Sequence, residues 1–238
     1  MSTKKSILLS VAKKYSFFKK LYFFYNIYIR NYKFLFKSSQ FGEEKKILRF
    51  FKKDFKGTYV DLGCFHPTRL NNTFQLYKKG WSGINIDLNP LTIELFNYAR
   101  PLDINICSVV SNSRKNKKLY FLGDLDSKNT LDLNHKNWLS RHFKIKEKDF
   151  KIKKIKSKTL GDILKENSLF KIDFLNIDIE GHELEVLRSL DFRKFNINTI
   201  CVEIINFNKQ SKEKGKKIIS ILKRNKFKLV DNYIFRRK

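Results

Sequence analysis

Glycine, proline and cysteine are all scarce in this chain, at nine, three and three of 238 residues, with a single methionine. So few glycines and prolines exclude collagen-like repeats and low-complexity linkers. Cys64, Cys107 and Cys201 are widely spaced and each lies inside an apolar run, so they form neither a disulfide framework nor a zinc pattern. They read as small buried side chains in a reducing compartment, which places the expected location in the cytoplasm. Acids are few too, 23 against 51 Lys+Arg, for a formal charge of +28. Long uncharged runs are also missing. Residues 6–12 are cut off by Lys13 and Lys14 at the bare minimum for a signal h-region, so no signal peptide is expected. In the aromatic stretch 17–36 the longest charge-free run, residues 21–29, falls far short of the ~20 residues a spanning helix needs.

What is present excludes disorder. The chain is 42% hydrophobic and 15% aromatic, with 23 Phe and 10 Tyr, enough apolar surface to offset the entropy of ordering one domain. The basic excess gathers in residues 1–40 (nine Lys/Arg, no acid), 144–158 (eight lysines against Glu147 and Asp149) and 209–238 (twelve basic residues against Glu213 and Asp231). None of these carries zinc-ligand pairs or an RNP-like strand, so a solvated basic surface is favoured over a nucleic-acid site. Residues 17–36, with lysines among Phe and Tyr, can either pack on the domain behind them or lie in a lipid headgroup interface.

From Gly42 on, helix and strand patterns alternate. Helices are expected over residues 43–51, 73–79, 90–98, 159–165, 182–190 and 214–223, with Asn89-Pro90 as N-cap and first-turn proline, and Gly80 as a stop. Strands are expected over 58–63, 83–87, 104–110, 119–122, 174–179 and 199–204, and a hairpin over 227–235 turning at Asp231-Asn232. Residues 124–150 carry no legible pattern. The alternation predicts an α/β domain with a mainly parallel sheet and an antiparallel terminal hairpin. In such sheets ligands bind outside the carboxyl ends of the strands, where Asp61, Asp87, Asp178, Glu180 and Glu203 stand.

Asp61 and Gly63 close the first strand, the glycine allowing close backbone approach to a ligand. Asp87 closes the second, where a carboxylate can accept hydrogen bonds from both hydroxyls of a ribose. The residues after Gly63 are Cys64-Phe65-His66-Pro67, without the further glycines that seat a pyrophosphate. That disfavours a dinucleotide and favours a cofactor with ribose and no phosphate, S-adenosylmethionine.

Five segments carry a family resemblance: residues 59–64 (YVDLGC), 71–73 (NNT), 79–90 (KGWSGINIDLNP), 100–105 (RPLDIN) and 174–183 (FLNIDIEGHE). Together they resemble the FkbM family of methyltransferases over roughly residues 59–204. The resemblance implies a Rossmann-like class I methyltransferase fold with a seven-stranded sheet; the domain is expected over residues 41–238, behind a helical basic aromatic segment, 1–40. It also implies S-adenosylmethionine as cofactor and a hydroxyl of a sugar, glycan or related metabolite as acceptor. The matching positions assign Asp61, Gly63 and Cys64 to the cofactor loop, Asp87 and Leu88 to the ribose, and Cys107 and Ser108 to the adenine side. Pro67 stands where many members have another glycine.

For the chemistry, a hydroxyl is a poor nucleophile at neutral pH and a positioned base assists it. Asp178 is the first candidate, with Glu180 and His182 beside it in the strand-to-helix turn and His66 behind them. No metal is expected; Asp178, Glu180 and Glu203 are the oxygens that would hold Mg²⁺ if one bound. Two alternatives stay open: an RNA acceptor, motivated by the charge, and a non-catalytic protein docked on an anionic membrane, motivated by residues 17–36.

Overall fold

The computed structural model describes residues 16–231 and 233–237. Residues 6–12 and Asn232 of the expected turn lie outside them. Helix α1 (Ser16–Phe24) runs into a π-helical turn (Tyr25–Arg30), a 3-10 turn (Tyr32–Leu35) and α2 (Glu43–Leu48). The domain follows as β1 (Thr58–Leu62), α3 (Phe74–Lys78), β2 (Ser82–Asp87), α4 (Pro90–Ala99), β3 (Ile104–Cys107), β4 (Val109–Val110), β5 (Asn116–Phe121), α5 (Leu133–His142) and β6 (Lys151–Lys158). It closes with α6 (Leu160–Glu166), β7 (Lys171–Ile177), α7 (Glu183–Ser189), β8 (Asn196–Val202), α8 (Lys209–Arg224), β9 (Phe227–Asp231) and β10 (Ile234–Arg237).

The main sheet has the expected seven strands, in the order β3-β2-β1-β7-β8-β10-β9. Its first five strands are mutually parallel. The terminal hairpin forms, but β10 inserts between β8 and β9 and pairs antiparallel with both, so the reversed strand is internal instead of at the edge. Both sheet faces are covered, which is why these strands read as continuous apolar runs. Val60, Ile84, Leu175 and Ile200 bury one face under Ile163, Leu184, Leu187 and Leu222. Tyr59, Phe174 and Cys201 bury the other against Ile47, Leu76 and Trp81.

Local chemistry sets the ends. Asn89 caps α4 by accepting from Leu91 N at 3.0 Å, ahead of Pro90 at the first position. Gly80 ends α3 at φ +84°. Thr159 and Asp162 form a reciprocal capping box on α6.

The expected third strand, 104–110, is two strands in two sheets. It breaks at Ser108, whose N–H donates to the Asp87 carbonyl at 2.9 Å. Beyond the break β4 joins a three-stranded sheet of order β4-β6-β5. Its centre, β6 (KIKKIKSK), lies in the lysine-rich stretch read as surface. Residues 124–150 are not patternless: Asp132 caps α5 by accepting from Asn134 N and His135 N.

The N-terminal segment lies along the domain. Tyr22, Phe23 and Ile27 bury against Leu91 and Leu95 of α4, with Leu125 packed beside them. Asn26 and Asn31 are buried, and His66 Nε2 stands 3.0 Å from Asn26 Oδ1. Thr68 N and Arg69 N both donate to His66 Nδ1, so the ring's proton sits on Nε2 and is given to Asn26. Burial drives the imidazole pKa down to about 3, leaving it neutral.

Candidate functional site

A cavity of about 470 Å³ opens at the carboxyl ends of β1, β2 and β7. Of the residues singled out in the sequence, Asp61, Gly63, Cys64, Asp87, Leu88, Ser108, Asp178, Glu180 and Glu203 line it. His66, Cys107 and His182 do not.

Gly63 is where the two central strands come closest. Its φ is +81°, and a Cβ there would stand 1.7 Å from the Asp178 carbonyl oxygen. The Asp178 N–H donates to the Leu62 carbonyl at 3.0 Å, and the Gly63 N–H to the Ile86 carbonyl at 2.9 Å. The ends of β1, β2 and β7 are thus tied at one point that admits no side chain.

Asp61 is 1% exposed and its carboxylate is already engaged: it accepts from Asn71 Nδ2 (3.0 Å), Thr73 Oγ1 (2.8 Å) and Asn176 Nδ2 (2.9 Å). It binds the loop after β1 to β7. Behind it Arg100, with no exposed surface, donates to Asn71 Oδ1 (2.7 Å), Thr73 Oγ1 (2.8 Å) and the Pro67 carbonyl, and its guanidinium faces the rings of Phe74, Tyr77 and Phe96. Pro67, at the departure from the family pattern, serves this network through its carbonyl. A second buried acid, Asp103, accepts from the Tyr59 hydroxyl, Asn85 Nδ2 and Gly83 N.

Asp87 accepts from two backbone donors, Phe65 N at 3.1 Å and Asn89 N at 2.8 Å. Burial still pushes its carboxyl up to about 6, since two amide dipoles do not replace full hydration. Phe65 takes φ +51° to bring its amide there.

Asp178 and Glu203 meet at the ends of β7 and β8, where Glu203 N donates to the Ile177 carbonyl at 3.0 Å. Desolvation within the cavity and the Asp61 charge raise Asp178 to about 6, while burial beside Asp178, Glu180 and Glu183 drives Glu203 well above the carboxylate range. Crowded together, both acids hold a proton more tightly than isolated carboxyls do. Glu180 is also pushed well up, by burial and then by Asp178. Its backbone, at φ +56°, is held by Thr130 Oγ1 (2.7 Å) and His135 Nδ1 (2.6 Å) on its carbonyl. Glu183 folds back to accept from Ile179 N and Gly181 N, so its role is to fix this turn.

His182 stands at the N-cap of α7 with Nε2 2.8 Å from Ser111 Oγ and Nδ1 3.8 Å from Glu185. That contact turns the ring toward the β4 side. Cys107 is exposed, contrary to the expected burial, with Sγ 3.7 Å from the Leu88 carbonyl. It ends β3, a strand with little cover. Cys64 is buried and its thiol is pushed well up by burial, so it offers shape and no nucleophile.

Sequence reasoning missed Phe65, Asn72 and Asn176 as cavity walls, along with Asp126, Ser127 and Leu131 from the loop before α5. Asn176 had a signal: an amide inside an apolar strand is costly unless bonded, and here it joins Asp61 to Asn72. Among the described residues seven carboxylates line the cavity (Glu43, Asp61, Asp87, Asp126, Asp178, Glu180, Glu203), and no lysine, arginine or histidine does. In a protein of charge +28 that is a strong segregation. No group of three or more His, Cys, Asp or Glu among the described residues is arranged to hold a metal ion.

The family model for the methyltransferase FkbM domain matches residues 57–229. No curated protein and no solved structure matches the chain.

Proposed function

The chain belongs to the FkbM methyltransferase family, and on that footing we propose that it moves a methyl group from S-adenosylmethionine to a hydroxyl of a sugar, glycan or related metabolite. The observation that carries this reading is the cavity wall, rich in carboxylates and without a basic side chain. Such a wall attracts a cationic sulfonium, accepts hydrogen bonds from hydroxyls and repels phosphate. It supports a neutral polyol acceptor over RNA.

The side chains present fit the cofactor. Asp87 would hold the ribose: its carboxylate, short of solvation at a pKa of about 6, gains from two hydroxyl donors. Leu88 and Ser108 would flank the adenine, and the loop at Gly63 and Cys64 the methionyl part. The cofactor supplies an electrophilic methyl whose sulfur leaves as a neutral thioether.

Asp178 would act as the base. Glu180 and Glu203 are pushed well above the carboxylate range and Asp178 only to about 6, so of these three acids Asp178 is the one best able to take the acceptor proton at neutral pH. Its raised pKa fixes the sign of the pH dependence. Above about 6 the base is free, and below it the rate falls about tenfold per pH unit as the carboxylate protonates. Asp178→Asn is expected to lower kcat about a hundredfold and abolish that acid limb, with cofactor affinity within about threefold. Full turnover in the variant would move the base elsewhere.

Asp87→Ala is expected to weaken cofactor binding by about tenfold or more in calorimetry, since a charged acceptor of two hydroxyls is lost. An unchanged Kd would remove the ribose assignment. The reaction itself is tested by tritiated methyl transfer from S-adenosylmethionine into separated neutral glycans, hydroxylated metabolites and RNA. Label in a neutral hydroxylated fraction supports the reading. Label in RNA alone, or no cofactor binding at millimolar concentration, overturns it.

A further inference from the structure

A helix that is apolar on all sides is normally enclosed. In residues 17–36 aromatic and aliphatic side chains face both the domain and the outside, and only the inner set is covered. Tyr22, Phe23 and Ile27 are between 1% and 7% exposed against α4. On the outer side Phe17, Leu21, Phe24, Tyr28, Tyr32 and Phe36 recur every three or four residues and are between 42% and 78% exposed. Phe18, Tyr25 and Ile29 widen the stripe. Single exposed apolar residues are ordinary on a soluble surface, but a continuous stripe of this length marks a contact surface.

The charges around the stripe select its occupant. Lys20, Arg30, Lys33 and Lys37 are exposed along it, and the first acid in the sequence is Glu43. Lys19 reaches inward to Glu94 at 2.8 Å, clamping the helix to the domain. A second copy of the chain pairing through the stripe would set basic residues of each against those of the other, which opposes that contact. An anionic bilayer meets both halves of the pattern, with aromatic side chains at the headgroup level and lysines on lipid phosphates. No helix among the described residues is long and apolar enough to cross a membrane.

We propose that residues 17–37 form a docking surface that lies in the headgroup region of an anionic lipid bilayer. The aromatic stripe enters the interface while the opposite face keeps its contacts with α4. The surface is independent of the methyl-transfer chemistry.

Charge alone could bring a protein of +28 to anionic vesicles, so the test separates insertion from surface attraction. Co-flotation of the full chain is measured with vesicles of phosphatidylcholine alone and of phosphatidylcholine mixed equally with phosphatidylglycerol. Binding is expected on the mixed vesicles only, and part of it should persist at about 0.5 M salt, where exposed charges are screened. The variant Leu21→Ser/Phe24→Ser/Tyr28→Ser/Phe36→Ser keeps every charge. It should bind roughly tenfold more weakly or worse and become fully salt-sensitive. Its circular dichroism should match the native protein, because the replaced side chains are exposed. Hydrogen exchange of the native chain on vesicles provides a readout free of mutation, with new protection over residues 17–37. The proposal is overturned by native binding that salt abolishes, by a variant that binds like the native chain, or by protection elsewhere. A stable dimer that the variant dissolves would also overturn it, by making the occupant a second copy.

Discussion

Replacing Gly63 with alanine is expected to lower the unfolding free energy by at least about 4 kcal/mol and to abolish ligand binding in whatever folded protein remains. Two costs combine. A non-glycine residue at φ +81° costs about 1–2 kcal/mol by itself. The new methyl would also stand 1.7 Å from the Asp178 carbonyl oxygen, so β1 and β7 must separate where Asp178 N bonds to the Leu62 carbonyl. Gly80→Ala isolates the first cost. There φ is +84°, but the nearest contact is the end of the Lys56 side chain at 3.3 Å, which can swing away, so about 1–2 kcal/mol is expected. Urea denaturation of both variants measures the difference. If the two lie within about 1 kcal/mol of each other, the close approach is not what demands glycine.

Arg100→Leu is the second large effect, about 3–5 kcal/mol of stability, the usual result of removing one member of a buried charged network. The leucine keeps most of the apolar contact with Phe74 and Phe96 and supplies none of the donors. The Pro67 carbonyl then loses its donor, Asn71 Oδ1 keeps only its bonds from Thr73, and the Asp61 and Asp103 carboxylates lose the cation between them. Arg100 reaches each of those acids through one hydroxyl, Thr73 for Asp61 and Tyr59 for Asp103. Arg100→Lys should recover only part of the loss, because a single ammonium cannot face Thr73, Asn71 and Pro67 with a planar fork. A loss below about 1 kcal/mol in urea titration would show that the network is replaceable by packing.

The parts of this fold that could be read from the sequence are those where one chain segment decides its own state. β1, β2, β7 and β8 are apolar on both faces and bounded by acids or glycine, and α4 and α6 announce themselves by their caps. β6 could not be read. Its lysines alternate with isoleucine and lysine again, most of the strand is exposed, and its pairing with β5 supplies the order. The break at Ser108 was hidden because Ile104–Cys107 and Val109–Val110 read as one β-rich stretch in which a single serine does not mark an end, and only the bond from Ser108 to the Asp87 carbonyl redirects it. α5 buries His135 and Lys136 alongside Leu139, a face that hydropathy does not mark.

The site divides the same way. Asp87, Asp178 and Glu180 stand at strand ends that the α/β pattern locates, and all three reach the cavity. Asp61 does too, but its partners Asn71, Thr73 and Asn176 assign its carboxylate to holding the walls together. Such an assignment depends on donors from other elements. His182 lay one residue from the right turn, and its direction is decided by Ser111, a residue 71 positions away.

The bond from Asn176 to Asp61 spans 115 residues. Closing a loop of that length costs only modestly more free energy than closing a short one, but a chain whose central contacts are so distant searches slowly for them. The N-terminal half alone, β1 to β3 with their helices, holds Asp61 and Asp87 but neither Asp178 nor Glu203. The cavity is therefore complete only once β7 lies beside β1. Until then Asp61 has Asn71 and Thr73 as donors but not Asn176, and the β1 edge is open to other chains. The site of this protein cannot appear during folding before its two halves meet.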